Sequence, residues 1–153
     1  MYVYTFVFLH FIHILVQKGS IPTSRLKAHD GKIYGIDWSH SSKDELITCS
    51  LDKTIKVWSL AKLQASSECL PRLTFNTGHP VWRARDLPFG KGILSLPQRG
   101  DALLEMWSYD DLRSPVETFE GHTDVVKEFV WRTHATGDGE RTEFSGRANL
   151  KVN

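Results

Sequence analysis

The nine residues Ser50–Trp58, "SLDKTIKVW", constrain the fold more than any other feature because they recur. "RGDALLEMW" at 99–107 keeps an aspartate six residues ahead of a tryptophan, Asp101 and Trp107 matching Asp52 and Trp58. The intervening apolar places also match: Ile55 and Val57 in the first copy, Leu104 and Met106 in the second. A third copy, "SGRANLKVN" at 145–153, keeps the serine and a Leu-Lys-Val core but has Arg147 for the aspartate and Asn153 for the tryptophan. Self-similarity of this kind marks a repeated supersecondary unit that cannot bury its own apolar face and stacks on its neighbours.

A histidine stands upstream of each copy. His29 precedes Asp52 by 23 residues, His79 precedes Asp101 by 22, and His122 precedes Arg147 by 25. Each follows a small residue, as Ala28-His29, Gly78-His79 and Gly121-His122, and each is followed by a tryptophan-containing apolar-polar run. The histidines are 50 and 43 residues apart, near the ~40–45-residue period of propeller blades. Trp38, Trp82 and Trp131 in those runs are expected in the core between blades.

Period-two alternation predicts strands at Ile33–Trp38, Glu45–Ser50, Thr54–Leu60, Leu70–Phe75, Val81–Asp86, Gly92–Leu96, Ala102–Ser108, Val116–Phe119 and Val125–Trp131. The runs between them are rich in Gly, Pro, Asp and Ser, the residues of turns. "AKLQASSE" at 61–68 is expected to loop between strands.

Bulk properties narrow the function. A formal net charge of +1 gives no electrostatic case for nucleic acid. Two cysteines, Cys49 and Cys69, make neither a disulfide framework nor a zinc motif. "PFGKG" lacks the pattern of a phosphate-binding loop. No metal, cofactor or small-molecule substrate is expected.

The repeat resembles the WD-repeat (WD40) family of β-propellers over about residues 20–153, most specifically at "TCSLDKTIKVWSL". The resemblance implies an all-β fold: a partial propeller of about two and a half four-stranded antiparallel blades, with a separate apolar N-terminal segment. It also implies that a histidine before the first strand bonds the turn aspartate and a hydroxyl that meets the tryptophan indole. That network falls on His29, Ser50 (or Thr48), Asp52 and Trp58, on His79, Asp101 and Trp107, and on His122. A narrower resemblance, in "LKAHDGKIYGIDW", "PVWRARDLPFGKG" and "FEGHTDVVKEFVWR", is to the RWD-containing WD-repeat subunits of GATOR/SEA nutrient-sensing complexes. It implies a non-enzymatic scaffold in TOR-complex signalling, cytoplasmic or peripheral on the vacuolar or lysosomal membrane, with other protein subunits as partners. The RWD and RING-like regions of those subunits are not in this sequence.

A serine, a histidine and an aspartate together also suit a hydrolase. A set that recurs once per repeat beside a tryptophan suits a structural network better, since active sites do not come in copies. Arg83 and Arg85, with Trp82 opposite, are candidate partner contacts. Other WD-repeat adaptors, such as substrate receptors for ubiquitin ligation, are the alternative within the same architecture.

Met1–Val16 is apolar except for Thr5, His10 and His13. It is shorter than the roughly 20 residues of a membrane-spanning helix and lacks a basic leader. Residues 1–17 are therefore expected to stand outside the repeat domain, as an artefact, anchor or signal; the alternative is a buried strand or helix, since the β-branched and aromatic content also suits a buried strand. The domain is expected over 18–153, with repeats at about 26–60, 70–108 and 116–153. Because propellers close with roughly four to eight blades, the chain reads as a piece of a larger ring.

Overall fold

A computed structural model describes residues 3–8, 10–16, 24–65, 69–88, 90–98 and 103–121, with Val126 and Phe129. The strands are β1 (Val3–Phe8), β2 (Phe11–Val16), β3 (Ser24–Lys27), β4 (Ile33–Trp38), β5 (Glu45–Ser50) and β6 (Thr54–Ser59). A short helix α1 (Leu60–Ala65) follows, then β7 (Leu73–Asn76), β8 (Val81–Asp86), β9 (Gly92–Pro97), β10 (Leu104–Ser108) and β11 (Glu117–Phe119). They make three antiparallel meanders: β1-β2-β3, β4-β5-β6-β7 and β8-β9-β10-β11. The second and third sheets are complete blades.

The middle blade is covered on both faces, and its sequence shows it. Every residue of β5 from Leu46 to Ser50 is buried. By alternation, Leu46 and Trp58 face the first sheet, packing with Ile12, Leu26, Ala28 and Ile33. Ile47, Cys49, Ile55 and Val57 face the third, packing with Val81, Ala84, Ile93 and Trp107. Phe75 on β7 meets Trp107 edge to face, with ring centroids 5.8 Å apart, worth about 0.5–1.5 kcal/mol beyond its burial. Leu87, Leu94, Leu96 and Leu104 on the far face of the third sheet pack with Val126 and Phe129. The expected strand Val125–Trp131, with Trp131, otherwise lies outside the described residues, as do Arg147 and the whole copy at 145–153.

In the N-terminal segment β1 pairs with β2, and β2 pairs with β3 in register Phe11↔Lys27 to Ile14↔Ser24. Ile12 is fully buried in the core shared with Trp58. The aromatic and β-branched content of this run suits strands. The helix α1 corrects an expectation, because a loop is expected there. Its start is capped from a distance: Asp44 accepts hydrogen bonds from the Ala61 amide through Oδ1 (2.9 Å) and from the Leu60 amide through its carbonyl (2.8 Å). A cap lent by another loop leaves no local sequence signature.

The first strands of the two complete blades share an irregularity. β4 slips register between Ile33 and Gly35, and β8 between Val81 and Arg83. The extra residue in each is aromatic, Tyr34 or Trp82. Contrary to expectation, neither Trp38 nor Trp82 is core: they are 37% and 39% exposed.

Candidate functional site

The repeat's polar residues converge in the middle blade. The β5–β6 turn holds Lys53 at φ 66° and folds Asp52 back over its own strand, with the Asp52 amide donating to Ser50 Oγ (3.1 Å). Asp52 Oδ1 accepts from the Thr54 amide (3.0 Å) and hydroxyl (2.6 Å). The loop after β3 brings His29 to this turn. Two contacts place it: the Ala28 and His29 amides reach the His10 carbonyl at 2.9 and 3.4 Å, and the Asp30 amide donates to Asp52 Oδ2 (3.0 Å). The apolar N-terminal hairpin thus positions the histidine.

The resulting hydrogen bonds run in one direction. The Trp58 indole N–H donates to Thr48 Oγ1 (2.9 Å), so the single Thr48 proton goes to His29 Nε2 (2.7 Å). His29 Nδ1–H then donates to Asp52 Oδ2 (2.9 Å), with Thr54 Oγ1 3.1 Å away. Burial pushes the His29 imidazole down to about 4, against the opposing pull of Asp52, so the ring is neutral near pH 7. Burial raises the Asp52 carboxyl, but hydrogen bonds from Thr54, His29 and the Asp30 amide outweigh it and hold the group below its ordinary value.

Thr48, not Ser50, is therefore the hydroxyl of the network. Both are fully buried, but Ser50 turns to the Asp52 amide. Thr48, His29 and Asp52 stand at the distances of a hydrolytic triad, yet the arrangement is unsuited to that chemistry. Thr48 is 0% exposed and its oxygen already accepts the indole proton, so a substrate has no approach. An imidazole titrating near 4 is also a poor general base at neutral pH. What the network does is fasten a loop from one sheet to the turn of the next.

The next blade keeps half of it. Trp107 Nε1 donates to Ser95 Oγ (3.0 Å), but Ser95 passes its proton to the Glu105 carbonyl (3.3 Å). His79 Nε2 makes no hydrogen bond and stands 3.3 Å from Glu105 Oε2. Asp101 and His122 lie outside the described residues.

A second tie between blades has no counterpart in the expectations. Asp86, at the end of β8, is fully buried and accepts from the His40 amide (2.6 Å), Ser39 Oγ (3.2 Å) and the Tyr109 hydroxyl (2.7 Å). Burial, then the Asp86 contact, pushes the Tyr109 phenol up. One blade earlier, Asp37 accepts from the Asp86 amide (3.1 Å) and from Arg85 Nη1 (3.3 Å). Arg85 is thus a pin between blades, while Arg83 and Trp82 remain on β8 as half-buried and exposed residues. The available signal was an aspartate near the end of each inner strand, in "IYGIDW" and "VWRARD".

Among the described residues no cluster of three or more His, Cys, Asp or Glu side chains is arranged for a metal ion, and no helix is long and apolar enough to cross a membrane. The family described as "WD domain, G-beta repeat" matches residues 20–59, which run from before β3 to the end of β6. The chain is 35% identical over 129 residues to the GATOR2 complex protein Wdr59 of Drosophila melanogaster, covering 82% of this chain and 13% of that protein. It is 39% identical over 124 residues to human GATOR2 complex protein WDR59, covering 79% and 12%. It is 33% identical over 136 residues to maintenance of telomere capping protein 5 of Saccharomyces cerevisiae, covering 82% and 12%. The chain therefore spans about an eighth of the length of these relatives. A chain in a crystal structure of the mitotic checkpoint complex superposes with TM-score 0.64 at 24% identity, over 76% of this chain and 35% of that one, a likeness of fold. With the repeat's sequence, its His-Thr-Trp-Asp network and its four-stranded blades in agreement, the chain carries a WD repeat and folds as part of a β-propeller.

Proposed function

We propose that the chain is an interaction scaffold, part of a GATOR-type complex that regulates TOR-complex 1 nutrient signalling, working in the cytoplasm and peripherally at the lysosomal or vacuolar membrane. The observation that carries this reading is identity of 35–39% to the Drosophila and human GATOR2 proteins across both complete blades. The geometry supports a non-catalytic role: the Thr48 hydroxyl beside His29 Nε2 is fully buried and already accepts the Trp58 indole proton. A blade stack offers rigid strand edges and turn rims, which suit protein partners.

Affinity capture of the tagged chain from cells, followed by mass spectrometry, tests the proposal. Enrichment of GATOR2 subunits is the expected result. Enrichment of ubiquitin-ligase adaptors in their place would move the chain to another class of WD-repeat adaptor and sink the reading.

A further inference from the structure

The bulged inner strands display aromatic side chains that the repeat network does not use. Tyr34 and Trp82 lie against each other with ring centroids 4.7 Å apart and planes tilted by 38°. Trp82 is nevertheless 39% exposed. Gln98 Nε2 donates to the Tyr34 hydroxyl (3.1 Å), which fixes that ring in place. An exposed indole held by a second, anchored ring loses little conformational freedom when something covers it.

The charge around the pair has a sign. Lys32 is exposed, with Nζ 5.5 Å from the centre of the Tyr34 ring. Lys53 is exposed on the β5–β6 turn. That turn shares an end of the molecule with the start of β8, because the Thr77 amide and hydroxyl both donate to the Lys53 carbonyl at 3.0 Å. The carboxylates there are already engaged: Asp30 with Lys27 at 2.8 Å, and Asp52 with His29 and Thr54. Lys27 and Asp30 are exposed as well but pair with each other, so among the described residues Lys32 and Lys53 leave this end with a surplus of outward positive charge.

We propose that Tyr34 and Trp82, with Lys32 and Lys53, form a docking surface for an acidic linear segment of a partner protein. An apolar side chain of the segment covers the two rings while its carboxylates meet the two lysines. This rests on the scaffold reading and deepens it by naming the surface. The charge complementarity specifies an acidic occupant, and the aromatic pair specifies that it carries at least one bulky apolar residue.

Fluorescence anisotropy tests the proposal with the full chain and a labelled peptide that alternates glutamate and aspartate with leucine and phenylalanine. A control peptide has lysine at every acidic place. Binding of the acidic peptide alone, weakened by added salt, is expected. Trp82→Ala should weaken it roughly tenfold or more, as loss of a central aromatic anchor does. Lys32→Glu, at an exposed position, should weaken it most at low salt. Failure to bind, equal binding of both peptides, or binding untouched by both substitutions would overturn the proposal. Capture of GATOR2 subunits is a separate readout: its loss in the unmodified chain defeats the scaffold assignment without touching the peptide result. A Trp82→Ala chain that loses peptide while retaining those subunits places the peptide site apart from the assembly contacts and supports the proposal.

Discussion

Thr48 carries more of the repeat's stability than its size suggests. It accepts from Trp58 and donates to His29, and both neighbours are buried. Thr48→Val keeps the shape and removes both bonds, leaving an indole N–H and an imidazole nitrogen unsatisfied. It is expected to cost about 2–4 kcal/mol in urea unfolding. Ser50→Ala loses one bond to a partly buried turn amide and is expected to cost about 1 kcal/mol. Reversal of that order would give the network hydroxyl to Ser50. The same residues predict a pH dependence. His29 titrates near 4 in the fold, against roughly 6.5 for an unfolded histidine. The unfolded chain therefore takes up the proton first, and stability falls as pH drops below about 6.5. Between pH 7 and pH 5 the loss is roughly 2 kcal/mol. Asp52, depressed below its ordinary value, adds to the loss only at still lower pH. Denaturant midpoints measured across this range should decline with acidification, and His29→Asn should flatten that decline.

At the level of elements, the loop after β3 and the β5–β6 turn fit without clearance. A Cβ on Gly31 would lie 2.5 Å from the Asp52 amide nitrogen and 3.0 Å from the Leu51 carbonyl carbon, both backbone atoms that cannot swing aside. Gly31→Ala is expected to push the loop off the turn and loosen the His29–Asp52 bond. The readout is faster amide hydrogen exchange at Asp30 and Thr54, with β10 and β9 unchanged. The helix α1 depends on a cap from the β4–β5 loop, and Ser59 Oγ also donates to Asp44 Oδ2 (2.8 Å). Asp44→Ala should cost about 1 kcal/mol and fray α1 without disturbing the β5–β6 ladder. Unchanged exchange across Leu60–Ala65 would show that the cap contributes nothing.

Across the whole molecule, stability lies between the sheets. Each blade presents two apolar faces, and the cores lie where neighbouring faces meet. Ile12 illustrates the consequence. It sits on the N-terminal hairpin yet fills the core beneath Trp58, and the adjacent His10 carbonyl holds the His29 loop. Ile12→Ala is expected to destabilise the chain by about 2–4 kcal/mol. Loss of exchange protection in β4 and β5 should accompany it. If β1 and β2 alone lost protection, the hairpin would be a separate unit rather than the neighbouring layer.

The middle and third sheets were legible because a strand between two others must be apolar on alternate or all positions and must end at turn residues. β4, β5 and β8 stand where that alternation puts them. The His-Asp-Trp spacing was equally legible, since one repeat carries every member of its network within 30 residues. Tertiary structure alone decided which hydroxyl completes it. Thr48 and Ser50 share a face and a hydroxyl group, and only the height at which His29 enters separates them. It alone paired β1 with β2 and β2 with β3, because an apolar run does not name the strand it will meet. It alone placed the cap on α1, the Asp86 tie and the Tyr34–Trp82 pair, each joining residues 16 to 48 positions apart. A sequence states what each segment can bury; which partner meets it, across such a separation, is settled when the blades stack.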